Sequence, residues 1–308
     1  MTDGGDGGDT EDLLSMTTTR FLRRLAGAAL WLAALAPAHA AESVPTVRFT
    51  VIPRYNPLLM VQSYQPIMDY LSTNTPYRFE LELARDYAEA VRLLEERKVE
   101  LASLGGVTFI EAYRTFGAVP LVRPRNATGQ AAYRSIIIVR SDSDIQSLED
   151  LRGRSFAFGS HHSTSGNLVP RTYLFRHGIR LDDLGWYKNL GKHDSVAKAV
   201  LKGTVDAGAV KDVIAERYRE HGLRFLAESD PIPAVPIVAH PETPEPVRRA
   251  VTRALLALDP GDPEQQQMMA SWDPEFRHGF VPATLEDYRP IVEMLDAVGK
   301  GCGEGCHR

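Results

Sequence analysis

The sequence predicts an α/β protein with largely parallel sheets arranged as two facing lobes. Three observations carry this. From residue 46 onward, strand-length apolar runs alternate with runs of helical spacing. A weak internal repeat, offset by 106 residues, relates YAEAVRLLEERKVELASLGG (87–106) to HDSVAKAVLKGTVDAGAVKD (193–212). The chain has 308 residues, and that length fits one large or two modest domains.

Each element follows from its local pattern. TVRFTVI (46–52) is β-branched and apolar and reads as a strand. YQPIMDYLST (64–73) has helical spacing at Ile67, Met68 and Leu71. YRFELELA (77–84) alternates apolar and polar residues, as a half-buried strand does. YAEAVRLLEERK (87–98) is amphipathic, and VELASLGG (99–106) is a short strand ending in a glycine turn. RSIIIVR (134–140) and RSFAFG (154–159) read as buried strands. LVPRTYLFRHG (168–178) is a helix with Pro170 in its first turn and Gly178 at its end. SVAKAVLKG (195–203), RRAVTRALLAL (248–258) and YRPIVEMLDAV (288–298) are helical, and TVDAGAV (204–210) is a strand. In the repeat, Tyr87 falls opposite His193 and Glu100 opposite Asp206. Either the repeat reflects two lobes that present helix N-termini to a shared cleft, or it is chance likeness between two common units.

The N-terminus reads as an export signal. Arg20, Arg23 and Arg24 precede the apolar stretch Leu25–Leu35, and Ala38-His39-Ala40 is a small-x-small cleavage pattern. Residues 1–40 are therefore expected to be a cleaved signal peptide. The acidic, glycine-rich residues 1–15 are expected to be an over-called start ahead of Met16. No cysteine follows the cleavage pattern, so a lipoprotein is not expected. The remaining 268 residues carry 32 Lys and Arg against 35 Asp and Glu, a net charge of −3. That balance gives no nucleic-acid footprint, and an anion site would have to be local.

The local candidate is FGSHHSTSGNLVP (158–170), which follows a strand and opens a helix. Ligands in α/β sheets sit beyond the carboxyl ends of strands, at helix N-termini. The first four helical N–H groups lack intrahelical partners, and with the macrodipole they favour an anion. Ser163, Thr164 and Ser165 add rotatable donors, and Gly166 removes a side chain that would block approach. The competing account is an ordinary N-cap, which needs a single hydroxyl.

STSGNLVPR (163–171), after FAFGSHH and before HGI, resembles the phosphonate/phosphite/phosphate-binding proteins of ABC importers. AYRSIIIVRSDSDIQSLEDLRGRSFAF (132–158) resembles that family's crossover into its second lobe. GKHDSVAKAVLKGTVDAGAV (191–210) resembles its histidine-containing turn, helix and strand. SDPIPAVPIVAHP (229–241) resembles the return to the first lobe, and GFVPATLEDYRPIVEML (279–295) the C-terminal ending. The resemblance implies a two-lobed type II periplasmic binding fold that closes about a two-stranded hinge. It places lobe I at 45–133 plus 237–299, lobe II at 134–236 and a tail at 300–308.

The same resemblance implies that Ser163, Thr164 and Ser165 bind the oxyanion, beside Gly166. It implies ligand contact by His193, better when protonated, by Tyr87 in the first lobe and by Tyr133 at the crossover. Simple packing is the alternative for each tyrosine, and a helix-start role without ligand for His193. Ser103-Leu104 stands where the family often has an aromatic pair, so the first lobe's contribution from Ser103 is open. Arg54-Tyr55 lies after the first strand; Arg54 either clamps an anion or is a solvated loop arginine. Lys211-Asp212 ends a strand toward the cleft, where an inter-segment salt bridge explains it equally well. His161 and His162 point opposite ways on an extended loop, so one is expected to line the cleft and one to be exposed.

The chain ends KGCGEGCHR. Cys302, Cys306 and His307 allow three readings: a local disulfide, a metal site lacking a fourth ligand, or covalent haem at a variant of Cys-x-x-Cys-His. No cofactor is expected in the body. The expected partners are a small oxyanion and a membrane permease, or else a membrane sensor kinase, with the protein a monomer in the periplasm. Motifs for a nucleophile elbow or a phosphate-binding Gly-Lys-Ser/Thr loop are missing, so an enzyme is not expected.

Overall fold

The structure is a computed structural model that describes Met1 and residues 44–300, the last three by backbone alone. The expected signal peptide and the Cys302, Cys306 and His307 tail lie outside the described residues.

The chain opens with β1 (Thr46–Val51), α1 (Pro57–Asn74), β2 (Arg78–Leu83), α2 (Tyr87–Glu95), β3 (Leu101–Ser103), α3 (Gly106–Phe116) and β4 (Val119–Pro124). A short β5 (Ala132–Tyr133) leads into β6 (Ser135–Arg140) and β7 (Ser155–Phe158). A five-residue π-helical turn (Thr164–Leu168) runs into α4 (Val169–Arg176). Next come β8 (Trp186–Asn189), α5 (His193–Leu201), β9 (Ala207–Lys211), α6 (Asp212–Arg219) and β10 (Leu223–Glu228). The chain returns through β11 (Ile232–Pro233) and β12 (Ile237–Ala239) to α7 (Glu245–Leu256) and α8 (Pro263–Met269). It finishes with β13 (Phe280–Pro282) and α9 (Arg289–Lys300).

Local chemistry explains the boundaries. Asn56 caps α1 by accepting from Leu59 N at 3.1 Å, and Pro57 follows with its preset φ. The helix therefore starts seven residues before the run read from spacing. Asp86 caps α2 by accepting from Glu89 N at 2.8 Å, and Gly117 ends α3 at φ +77°. In β6, Ile136 and Ile138 join one core while Ile137 and Val139 join another with Phe156 and Phe158. Both faces are covered, which is why the strand reads as an unbroken apolar run. Burying each of these side chains is worth about 1.5–3 kcal/mol.

Among the described residues two large sheets form, in the orders β13-β4-β12-β3-β1-β2 and β10-β6-β9-β7-β8, with a two-stranded sheet β11-β5 between them in the chain. Helices pack on both, and the α/β class and two-lobed architecture stand. The sheets are mixed, however, where the sequence predicted largely parallel ones. The pairs β1·β2, β1·β3, β7·β8 and β7·β9 are parallel. In contrast, β12 runs against β3 and β4, and β6 against β9 and β10. The reason is the route of the chain. The crossing pair β5–β11 is antiparallel, with Ile232 opposite Tyr133. It lies at the carboxyl ends of the βα strands, so a strand arriving from it must run away from it. β12 and β6 are those arriving strands.

The hinge thus brings the carboxyl ends of both sheets together, and an interlobe cleft lies there. Among the described residues no helix is long and apolar enough to cross a membrane. Nor do three or more His, Cys, Asp or Glu side chains group as a metal site would need.

Candidate functional site

Between the two sheets lies a cavity walled by Ile52, Arg54, Tyr87, Gly105, Tyr133, Ser163, Thr164, Ser165, His193, Lys211 and Val235. Its volume is about 10 Å³, roughly one water-sized sphere. Hydrogen bonds cross the cleft around it, so the lobes are closed on one another.

The hydroxyl run sits on the π-helical turn, whose wide i→i+5 bond joins Leu168 N to Ser163 O at 3.1 Å. Ser163 is the N-cap, accepting from Gly166 N at 3.0 Å. Thr164 and Ser165 are not needed as caps and are nonetheless buried. Thr164 Oγ1 accepts from Val107 N of α3 at 2.9 Å, across the lobes. The Tyr133 hydroxyl faces Thr164 and Ser165, and the Tyr87 hydroxyl faces Ser163. Burial pushes the Tyr87 phenol up to about 12, so it remains a donor. Gly166 stands behind this cluster, and a Cβ there would lie 2.9 Å from both His193 Cε1 and Ser163 Oγ. Only glycine lets these groups converge.

His193 opens α5 and is 3% exposed. Its Nδ1 accepts from Lys211 N at 3.3 Å, which leaves the ring proton on Nε2, 3.4 Å from Ser163 Oγ. Burial, with Lys211 and Arg54 nearby, lowers its pKa to about 3. The imidazole is therefore neutral, without the protonation that would strengthen an anion contact. It still presents one N–H to the cavity. Tyr87 and His193, the two residues that the repeat set opposite each other, both reach Ser163.

Arg54 is fully buried, and this rules out a solvated loop arginine. Its Nη1 lies 2.6 Å from Glu275 Oε2, 3.6 Å from Asp273 Oδ1 and 2.6 Å from the Tyr64 hydroxyl. Burial opposes its charge, and Glu275, Tyr64 and Asp273 outweigh that, raising its pKa further. Its Nη2 has no partner. Lys211 pairs across the cleft with Glu275 and stands 3.7 Å over the Tyr133 ring. The salt-bridge account of Lys211 holds, with a partner far away in sequence.

Three predicted site residues are not in the wall, and Gly166, behind the hydroxyl cluster, is one of them. Tyr55 is buried beneath the Arg217 guanidinium at 4.4 Å, because the chain turns inward after Arg54. Ser103 is buried at the end of β3, and Gly105 reaches the cavity in its place. Neither His161 nor His162 lines the cavity. His162 instead spans the rim, its Nδ1 3.1 Å from both oxygens of Glu111 on α3.

Sequence reasoning missed Asp273 and Glu275. The only signal was two acids between Trp272 and Phe276, an apolar setting that demands buried partners.

The family model described as "ABC transporter, phosphonate, periplasmic substrate-binding protein" matches residues 49–288. The "Phosphonates-binding periplasmic protein" of Escherichia coli is 29% identical over 217 residues, covering 66% of this chain and 63% of its own length. The "Phosphate-import protein PhnD" of Mycolicibacterium smegmatis is 30% identical over 192 residues, covering 58% and 59%. The chain therefore spans about three fifths of the length of these relatives. The structure of PhnD1 from Prochlorococcus marinus in complex with methylphosphonate superposes with a TM-score of 0.74 at 20% identity. It covers 83% of this chain and 99% of that one.

Proposed function

We propose, from the premise that the chain belongs to the periplasmic substrate-binding proteins of phosphonate ABC transporters, that it captures a small phosphorus oxyanion between its lobes. It then delivers that anion to a membrane permease. The observation that carries this reading is the donor set of one cavity. Three consecutive hydroxyls, the Nε2–H of a neutral histidine, two tyrosine hydroxyls and the unpartnered Nη2 of a buried arginine face the same few Å³. Such donors suit a tetrahedral oxyanion. Ser163, Thr164, Ser165 and His193 hold it from lobe II, while Arg54, Tyr87 and Tyr133 hold it from lobe I and the hinge. No bond is made or broken, and the site uses no cofactor.

The protein acts in the periplasm as a monomer, after removal of residues 1–40. The N-terminal sequence of protein from a periplasmic extract should begin at Ala41, and light scattering should give one chain. Thermal unfolding against phosphate, phosphite, methylphosphonate, aminoethylphosphonate and sulfate tests the ligand class. An anion at 100 times its dissociation constant adds about 2.7 kcal/mol. Stabilisation by phosphorus oxyanions, abolished in Ser163→Ala/Ser165→Ala, is expected. The absence of stabilisation by any of them would reject the reading.

A further inference from the structure

A second, much larger cleft adjoins the oxyanion cavity. Its volume is about 790 Å³, and Tyr133 and Lys211 line both spaces, so they form the partition between them. The wall draws on both lobes: Asp212, Glu216 and Arg217 from α6, and Glu275, Arg277 and His278 from the segment before β13. Its charges are unevenly committed. Glu275 is taken by Lys211 and Arg54. Glu216 pairs with Arg219 outside the cleft. Asp212 accepts from the backbone N–H groups of Arg134 and Val213.

The cations are less occupied; Arg125, which also lines the cleft, spends its Nη1 on the carbonyl of Gly129 at 3.2 Å. Arg217 lies over the Tyr55 ring and, among the described residues, makes no side-chain hydrogen bond or ion pair. Arg277 spends only its Nε, on the carbonyl of Trp272 at 2.9 Å. Both are half-buried, one on each lobe. His278 is held neutral by burial and by Arg277, so it adds no charge. Arg217 and Arg277 therefore present two guanidinium groups to one interlobe cleft whose carboxylates are already engaged.

We propose that this cleft is a second subsite, which takes a carboxylate or other anionic group carried on the substituent of the phosphorus oxyanion. The preferred ligand is then a bifunctional anion, such as a phosphonocarboxylate. This rests on the oxyanion reading of the small cavity. The phosphonate occupies that cavity, and the spacer passes the partition where Lys211 swings off Glu275 on its flexible stem. The distal anion lies between Arg217 and Arg277, where a guanidinium fork binds a carboxylate bidentately.

The test is calorimetric titration of the full chain. The probes are phosphonoacetate, 3-phosphonopropionate and 4-phosphonobutyrate, each against the alkylphosphonate of equal length, and aminoethylphosphonate. At least one phosphonocarboxylate should bind about tenfold or more tightly than its alkyl counterpart. Arg277→Gln and Arg217→Gln should each reduce that ratio toward one without changing methylphosphonate binding. Arg277→Lys should retain part of the ratio. Equal affinities throughout the series, or a preference for the amine, would overturn the subsite while methylphosphonate binding upheld the cavity. A ratio unmoved by either glutamine variant would also overturn it. Failure of every phosphorus compound to bind would reject the cavity reading, and the subsite with it.

Discussion

Replacing Gly166 by alanine tests whether the site's convergence is geometric. The added Cβ would stand 2.9 Å from His193 Cε1, 2.9 Å from Ser163 Oγ and 3.0 Å from Gly159 Cα, where ordinary contact begins near 3.4 Å. Each neighbour must yield by roughly half an ångström. Gly159 is backbone, and its N–H bond to Gly166 O, now 2.6 Å, leaves it only a few tenths of an ångström of retreat before that bond lengthens past its usual range. Overpacking of this kind costs about 2 kcal/mol, or roughly 4–8 °C in melting temperature for a chain of this size. The larger effect falls on binding, because the methyl displaces a hydroxyl and an imidazole N–H together. Two hydrogen bonds to a charged ligand are worth about 3 kcal/mol or more, a hundredfold in affinity. Scanning calorimetry with and without methylphosphonate reads both quantities. A variant that melts with the parent and keeps its full ligand shift would refute the reasoning.

Three other outcomes follow from the buried charges and the two histidines. Arg54→Met leaves Asp273 and Glu275 buried beside each other and should cost about 3–5 kcal/mol. Urea unfolding should show a partial recovery when Glu275→Gln is added. His193 stays neutral in the fold, whereas the unfolded chain takes up a proton below about pH 6.5. Stability should therefore fall as pH drops from 6.5 toward 3, by about 2 kcal/mol at pH 5. The slope of stability against pH should diminish in His193→Asn. His162 works in the opposite sense. Its hydrogen bond to Glu111 raises its pKa against partial burial, with Asp86 adding to the effect. The rim contact is complete below about pH 6.5 and is lost as pH rises through the raised value. An NMR pH titration should find the His162 ring titrating above its usual range, and Glu111→Gln should remove that shift.

Much of this site was legible because short-range chemistry wrote it. A strand, a hydroxyl run and a helix start occupy one continuous stretch, so Ser163, Thr164 and Ser165 could be read directly. The repeat placed Tyr87 and His193 on matching elements, and the fold brings both to one hydroxyl. What escaped depends on distance along the chain. Glu275 meets Lys211 from 64 residues away, and nothing near either residue encodes that meeting. Tyr55 was misplaced for a related reason, since only tertiary packing decides which of two neighbours faces a cavity. The strand directions of β6 and β12 depend on the path through the hinge, and apolar periodicity does not record direction.

The hydroxyl cluster also has a kinetic consequence. Thr164 accepts from Val107 N across the cleft, so a group that would hold an anion is also one that holds the lobes together. Parting the lobes removes several donors from the anion in a single event. Its residence time is then the lifetime of the closed form, and any docking surface that pries the lobes apart sets the off-rate.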